Sequence, residues 1–234
     1  MRVPIALLAL LLGGCAKDIE VSVARECTAA SQLIQKVVKV RNSFGMASAV
    51  IVGPKELLTV EHVSEQMRMS NTPQEITVSQ QNDSSTNEPR TVKRAMRLKQ
   101  SLFVDAREEL HLWEMNSSLE WNSMPLVFRE TPLVHREPAI GIGYAAGHLT
   151  FTSGEFRTDG PVKDPFYALA AFRMESISFF GGSSGGGVFD CEGRLIGLIA
   201  RAFDQAPSRF EQIWVGVGNT SVVPAHAIAH MFSR

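Results

Sequence analysis

The sequence lacks an excess of charge of either sign. Its 23 lysines and arginines stand against 24 aspartates and glutamates, which gives a formal net charge of -1. Proteins that bind nucleic acid through its phosphates usually carry an excess of basic residues, so the charge balance indicates no nucleic-acid partner. Apolar residues make up 44% of the chain, which is typical of a folded globular protein rather than a disordered one.

Long hydrophobic runs are also missing, except at the start of the chain, which reads MRVPIALLALLLGGCAKD. There Arg2 precedes an apolar run over residues 3–12, which is too short to remain in a bilayer as a spanning helix. A basic residue, a short apolar run and small residues in that order are typical of an export signal. The remainder of the chain is expected to be soluble.

The apolar run ends in Leu12-Gly13-Gly14-Cys15, which resembles the bacterial lipobox. The resemblance implies that the signal, residues 1–14, is removed and that the Cys15 thiol carries a lipid anchor. In such lipoproteins, the residue after the cysteine influences which membrane receives the protein, and here it is Ala16 rather than an aspartate. If the source has two membranes, the resemblance therefore implies an anchor in the outer membrane, facing the periplasm. The alternative is an ordinary secretory signal that happens to contain a cysteine.

Cysteine is scarce, with three in the whole chain. If Cys15 is lipidated, Cys27 and Cys191 remain, far apart in sequence. Two thiols of an exported protein can pair, but geometry decides whether they do. The sequence therefore leaves this disulfide open.

The alternating strand and helix pattern of a doubly wound sheet is absent. Instead, short β-type runs such as ASAVIV, LLTV, AIGIGY and RLIGLIA are separated by turn-forming residues. Helical character is predicted over residues 24–36 and in the tail from Val222, with Pro224 at the start of the helix. The sequence predicts an all-β body with a short helix at each end.

A glycine-rich segment, FFGGSSGGGVFDCEGRLIG, occupies residues 179–197. It lacks the Gly-Lys-[Ser/Thr] ending and the following helix of a phosphate loop, and the apolar runs on both sides argue against a flexible linker. The pattern after Gly187 indicates strand, turn and strand. Glycines allow the close approach and unusual backbone angles that an exposed nucleophile requires. We therefore predict that Ser184 is a nucleophile.

A serine nucleophile needs a base within hydrogen-bond reach, and His62 is the predicted base. The segment LLTVEHV around His62 resembles the LTAAHC or LTNAHV segment of the trypsin-like serine peptidases. GGSSGGGVFDCEGRLIGL resembles their GDSGGPVF…G.L.GI segment, and GMASAVIVGPKELLT resembles the stretch that precedes their histidine. The base also precedes the serine in the chain, as in that family.

This resemblance implies the fold and the domain organisation. The family consists of two perpendicular six-stranded β-barrels with the active-site cleft between them. We expect a peptidase domain over residues 37–234, with the first barrel at about 37–122 and the second at about 123–234. A lipidated tether and helix over 15–36 would precede it. The implied activity is that of a membrane-anchored serine endopeptidase, with a protein or peptide substrate and no metal or cofactor.

The third catalytic position departs from the family pattern. The family's D..D.A.L segment corresponds here to VDAREELHLWEM, which places Glu109 at the position of the acid and leaves Asp105 as the alternative. The acid holds the histidine tautomer and stabilises its charged form. A carboxylate one methylene longer can do the same if the backbone is set back slightly.

Further roles follow from the resemblance alone. The backbone N–H groups of Gly182 and Ser184 would form the oxyanion hole, and Ser178 would lie at the floor of the specificity pocket. A serine floor implies a preference for small or apolar side chains. The strand that would pair with the substrate backbone consists of Ala200, Arg201 and Ala202.

Other interpretations compete with this one. The GxSxG pattern also marks the α/β-hydrolase elbow, with its histidine downstream, but the predicted hairpin after Ser184 contradicts it. His226 and His230 are four residues apart and could bind a metal, although such a pair is more often one face of a helix. The remaining alternative is a peptidase-like adaptor that no longer cleaves, supported by Glu109 and by Gly187 where the family has proline.

Overall fold

In the computed structural model the first described residue is Ala30. A short helix α1 (Ala30–Leu33) continues as a 3-10 turn over Ile34–Lys36, and the two form the described part of the helix predicted over 24–36. Among the described residues, no helix is long and apolar enough to cross a membrane. The described residues are 30–81, 89–105, 108–119, 126–131, 134, 137–157, 170–174, 181–203, 219–224, 229 and 232.

Six antiparallel strands close into the first barrel in the order β1-β2-β3-β6-β5-β4. A short helix, α2 (Glu61–Gln66), follows β3 directly. The strands are β1 (Val37–Arg41), β2 (Met46–Gly53), β3 (Glu56–Val60), β4 (Gln74–Gln80), β5 (Arg90–Asp105) and β6 (Glu108–Met115).

The second barrel closes in the order β7-β8-β9-β12-β11-β10, which repeats the connection pattern of the first. The predicted all-β fold with two six-stranded barrels is therefore confirmed. Its strands are β7 (Glu137–Ala145), β8 (His148–Arg157), β9 (Ala170–Met174), β10 (Gly187–Asp190), β11 (Leu195–Phe203) and β12 (Asn219–Pro224).

The residues at which the sequence predicts the start of the C-terminal helix, up to and including Pro224, form strand β12 instead. Val222 and Val223 belong to β12, where they pair with Ile199 and Leu198 of β11. Strand pairing across the barrel overrides the helical spacing of the apolar residues there. Most of the tail after Pro224, including the predicted pair His226 and His230, lies outside the described residues.

Each barrel is filled by the inward-facing side chains of its strands, as expected for closed sheets of this size. In the first barrel the indole of Trp113 is fully buried, and its Nε1 donates a hydrogen bond to Ser64 Oγ of α2 at 2.7 Å. This bond fixes α2 against β6. Buried side chains of the second barrel include Ile142, Phe189 and Leu198.

A buried carboxylate shapes the β10–β11 hairpin. Asp190 is 1% exposed and accepts hydrogen bonds from the backbone N–H groups of Glu192 and Arg194. Its other oxygen accepts from Arg194 Nε at 2.7 Å, and Arg129 lies 3.8 Å away. Cys191 in the same turn is disulfide-bonded, with its partner outside the described residues.

Candidate active site

The glycine-rich segment forms a tight turn that is anchored to both barrels. In the first barrel, the N–H of Ser48 on β2 donates to the carbonyl of Ser184 at 2.9 Å. In the second, the N–H of Gly185 donates to the carbonyl of Ile199 on β11 at 2.7 Å. Ser184 therefore lies where the two barrels meet, directly before β10.

The glycines of this turn are required by close approaches between backbones. Gly185 has a φ of +83°, and a Cβ there would lie 2.1 Å from the carbonyl oxygen of Ser48 and 2.2 Å from Thr59 Oγ1. A Cβ on Gly186 would lie 2.4 Å from the carbonyl oxygen of Ile142. Neither position has room for a side chain. The glycine run is thus a packing requirement of the turn.

The backbone N–H groups of Gly182 and Ser184, predicted as the oxyanion hole, have no protein acceptor within the described part of the chain. The peptide between Gly181 and Gly182 is held by Ala146, whose N–H donates to the Gly181 carbonyl at 2.9 Å. Because C=O and N–H point in opposite directions across a trans peptide, this bond directs the Gly182 N–H away from Ala146. Two donors are left available to a ligand.

Ser48 is a residue of the site that the sequence interpretation missed. Its fully buried hydroxyl donates to the carbonyl of Gly182 at 2.7 Å and accepts from the N–H of Tyr144 at 2.9 Å. Thr59 Oγ1 in turn donates to the Ser48 carbonyl at 3.1 Å. The available signal is a serine within the otherwise apolar run ASAVIV. One side chain of the first barrel thus holds two backbone segments of the second.

His62 is the second residue of α2, immediately after β3. Thr59, three residues earlier, packs against Gly185 at the nucleophile turn. The structure thus brings the end of β3, which leads into α2, next to the turn of Ser184. The side chains of His62 and Ser184 are partly exposed, while His62 Nδ1 is buried.

The two acid candidates are described by their backbone positions. β6 pairs with β3 through Val60 and Leu110, so the backbone of Glu109 lies next to the start of α2. Asp105 belongs to β5, where it pairs with Glu108 of β6, and β5 lies one strand further from β3 than β6 does. The strand register therefore places Glu109 closer in the sheet to the segment that carries His62.

The Ser184 hydroxyl donates to the carbonyl of Ala200 on β11 at 3.0 Å. A hydroxyl has one proton to donate, so in this arrangement that proton is not directed at His62. Ala200 is the first residue of the strand predicted to pair with substrate. Ala200, Arg201 and Ala202 all lie in β11, whereas the predicted pocket residue Ser178 lies outside the described residues.

Tyr144, whose backbone N–H is bonded to Ser48, has a buried side chain near the site. Its ring is almost fully buried, and burial raises the pKa of its phenol to about 12. The phenol oxygen accepts a hydrogen bond from the N–H of Gln81 at 3.1 Å, and the Lys39 ammonium lies 5.8 Å from the ring centroid. Tyr144 therefore stays neutral at physiological pH and acts as a rigid, apolar support.

The two closed barrels, with a serine turn and a histidine-bearing helix where they meet, define a double-barrel protein of the peptidase type. Residues 47–198, well over half of the chain, match the model of the trypsin-like peptidase domain family. The chain belongs to this family, as the sequence motifs predicted. No match was found among curated protein sequences.

Solved structures share the fold at low sequence identity. The active form of the Rv3671c protease from M. tuberculosis has a TM-score of 0.56 and 18% identity, covering 87% of this chain and 82% of its own. The MamO protease domain from Magnetospirillum magneticum has a TM-score of 0.55 and 20% identity, covering 85% and 96%. The HtrA-type protease AlgW with a tripeptide has a TM-score of 0.60 and 20% identity, covering 91% of this chain and 63% of its own. At these identities the likeness concerns the fold.

Proposed function

We propose that the protein is a serine endopeptidase in which Ser184 is the nucleophile and His62 the general base. The observation that carries this proposal is the turn at Ser184, which leaves the N–H groups of Gly182 and Ser184 available to an oxyanion beside the segment that bears His62. Preorganised donors of this kind are commonly the largest contribution to acyl transfer.

Substrate binding is coupled to release of the nucleophile. An extended peptide that pairs with β11 offers a backbone N–H to the carbonyl of Ala200. That carbonyl holds the Ser184 hydroxyl in the free protein. A competing donor frees the hydroxyl to turn toward His62, so the resting bond and the productive bond exclude each other.

The reaction then follows the acyl-enzyme route. Because Nδ1 of His62 is buried, we assign the proton transfer to Nε2, which takes the Ser184 proton as Oγ attacks the peptide carbonyl. The resulting oxyanion accepts hydrogen bonds from Gly182 and Ser184, and His62 returns the proton to the leaving amine. Water, activated by the same nitrogen, hydrolyses the acyl-enzyme and restores the serine.

The carboxylate that orients His62 is assigned to Glu109 on the strand register. Glu109→Gln should lower kcat/KM for a cleaved peptide by orders of magnitude, as expected when the acid can no longer hold the histidine tautomer. Asp105→Asn is the matched control and should lower it far less. The reverse ranking would assign the role to Asp105.

A binding protein without peptidase activity is the second candidate, favoured by the Ser184 bond to Ala200 in place of one to His62. Such an adaptor would bind extended peptides along β11 and leave them intact. Incubation of the purified protein with a peptide library, followed by mass spectrometry, separates the two candidates. Cleavage that is abolished by Ser184→Ala supports the peptidase, and binding without cleavage supports the adaptor.

The lipobox supports a further proposal, that Cys15 is lipidated and anchors the protein in a membrane, facing the periplasm from the outer membrane if the source has two. Cys15→Ser should move the protein from the membrane fraction to the soluble fraction. Cys27→Ser, which changes a cysteine outside the motif, should leave it membrane-bound. A Cys15→Ser protein that remains in the membrane fraction would contradict the anchor.

A further inference from the structure

A groove of about 470 Å³ opens directly beside the nucleophile turn. Its lining includes Lys39, Arg41, Phe44, Met46 and Gly147. The Cε atom of Met46 lies 3.5 Å from the position that a Cβ on Gly182 would occupy, so the lining of the groove adjoins Gly182.

The position of the groove relative to Ser184 indicates which part of a substrate would enter it. β11 contacts the Ser184 hydroxyl through the Ala200 carbonyl, while β2 contacts the Ser184 carbonyl through the N–H of Ser48. If the acyl part of the substrate pairs with β11, the leaving group departs over the β2 side. Met46 at the start of β2 lines the groove there.

The groove is basic. Its lining contains Lys39 and Arg41 but no aspartate or glutamate. Within the described residues the side chain of Arg41 makes no hydrogen bond or ion pair, whereas Lys39 Nζ donates to the carbonyl of Gly147 at 3.2 Å and keeps two further donors. The carboxylate of the adjoining groove, Glu75, is paired with Lys93. A ligand in the groove would therefore face positive charge that the protein does not neutralise.

The same groove has an apolar wall. The ring of Phe44 is 49% exposed, with the guanidinium of Arg68 stacked over it at 4.3 Å from the centroid. A solvent-exposed aromatic side chain between cations suits a ligand with an apolar stem and a negatively charged end. Aspartate and glutamate side chains have this chemistry, and arginine pairs well with carboxylates.

We propose that this groove selects an acidic side chain among the first three residues that follow the cleaved bond of the substrate. The inference rests on the proposed peptidase function and names the substrate class for it. Arg41 is the principal specificity-determining residue, and Lys39 and Phe44 complete the site.

The test uses peptides that carry Glu, Gln or Lys in turn at each of the first three positions after the scissile bond. For the wild-type protein, kcat/KM should be about tenfold higher with Glu than with Gln at one of these positions, as expected for one well-formed charged contact. Arg41→Glu should reverse the preference, so that the Lys peptide is cleaved faster than the Glu peptide. Because each ratio is measured within one variant, a general change in activity or folding does not alter it.

Lys55→Glu is the matched control, since it makes the same charge change at the β2–β3 turn, outside the groove. It should keep the wild-type preference. The preference should also weaken in high salt, because a surface charge contact is screened.

Three results would overturn the inference. The first is equal cleavage of Glu and Gln peptides by a wild-type protein that a fluorophosphonate labels, which leaves the peptidase proposal standing. The second is an acidic preference that persists in Arg41→Glu. The third is a preference that disappears when the C-terminus of the peptide is amidated, which would assign the groove to a terminal carboxylate. Absence of labelling would overturn both proposals together.

Discussion

The hydroxyl of Ser48, in the first barrel, donates a 2.7 Å hydrogen bond to the carbonyl of Gly182, in the nucleophile turn of the second. The same hydroxyl accepts a bond from the N–H of Tyr144. Ser48 is fully buried and Tyr144 nearly so. The geometry of the proposed oxyanion hole therefore depends on a side chain of the other barrel.

Ser48→Ala should lower kcat/KM about fivefold, because loss of a buried hydrogen bond of about 1 kcal/mol loosens the turn that holds the Gly182 N–H. The effect should fall mainly on kcat, since the substrate strand contacts β11. The measurement is steady-state kinetics on a cleaved peptide. Ser79→Ala is the control: its hydroxyl contacts Thr91 at 3.1 Å, away from the turn, and its loss should leave the rate near wild type. Equal rates for Ser48→Ala and wild type would contradict this role.

Gly185→Ala should abolish activity and destabilise the protein. Its Cβ would lie 2.1 Å from the Ser48 carbonyl oxygen at a φ of +83°, so the turn must move away from the first barrel. Gly181→Ala is a matched control in the same turn, because a Cβ there meets nothing within 4 Å. Thermal unfolding and peptide hydrolysis of both variants measure the difference. A stable, active Gly185→Ala protein would show that the turn has another conformation.

Asp190→Asn should destabilise the protein by about 3 kcal/mol. The substitution removes a buried charge that accepts hydrogen bonds from Arg194 and from two backbone N–H groups. Glu192→Gln changes a carboxylate that also contacts Arg194 but is 67% exposed, and should cost no more than about 0.5 kcal/mol. Denaturant unfolding checks both values. Similar losses in the two variants would mean that burial is not decisive.

The raised pKa of Tyr144 predicts that the folded protein loses stability at high pH. Burial raises its pKa from 10.0 to about 12, so the folded protein holds the phenol proton more tightly than the unfolded chain does. The corresponding stability is present in full below pH 10 and is lost as the pH rises toward 12, by about 2–3 kcal/mol in total. Tyr144→Phe should flatten this part of the pH profile relative to wild type. Identical profiles for the two proteins between pH 10 and 12 would contradict the shift.

Much of the fold could be predicted because local signals carry it, whereas the catalytic roles of the site residues remain predictions. Alternating apolar residues predicted the strands, and two motifs predicted Ser184 and His62. The two barrels connect their strands in the same order, but this repeat is not visible in the amino-acid sequence. The order in which strands pair does not require the two barrels to have similar residues.

The contacts between the barrels could not be predicted. Ser48 lies among apolar residues of a strand, and nothing in its neighbourhood along the chain indicates that its hydroxyl reaches Gly182, 134 positions away. The end of β12 could not be predicted for a related reason. The apolar residues of the tail from Val222 are spaced as in a helix with Pro224 at its start, but Val222, Val223 and Pro224 pair with β11, and this tertiary contact decides their conformation.

The central claim, that Ser184 and His62 form a working nucleophile and base, is tested most directly by labelling with a fluorophosphonate probe. Such a probe modifies a serine only when a base and an oxyanion hole activate it. We predict that the wild-type protein is labelled, that mass spectrometry locates the adduct on Ser184, and that Ser184→Ala and His62→Ala remain unlabelled although folded. A folded wild-type protein that the probe does not modify would contradict the peptidase proposal.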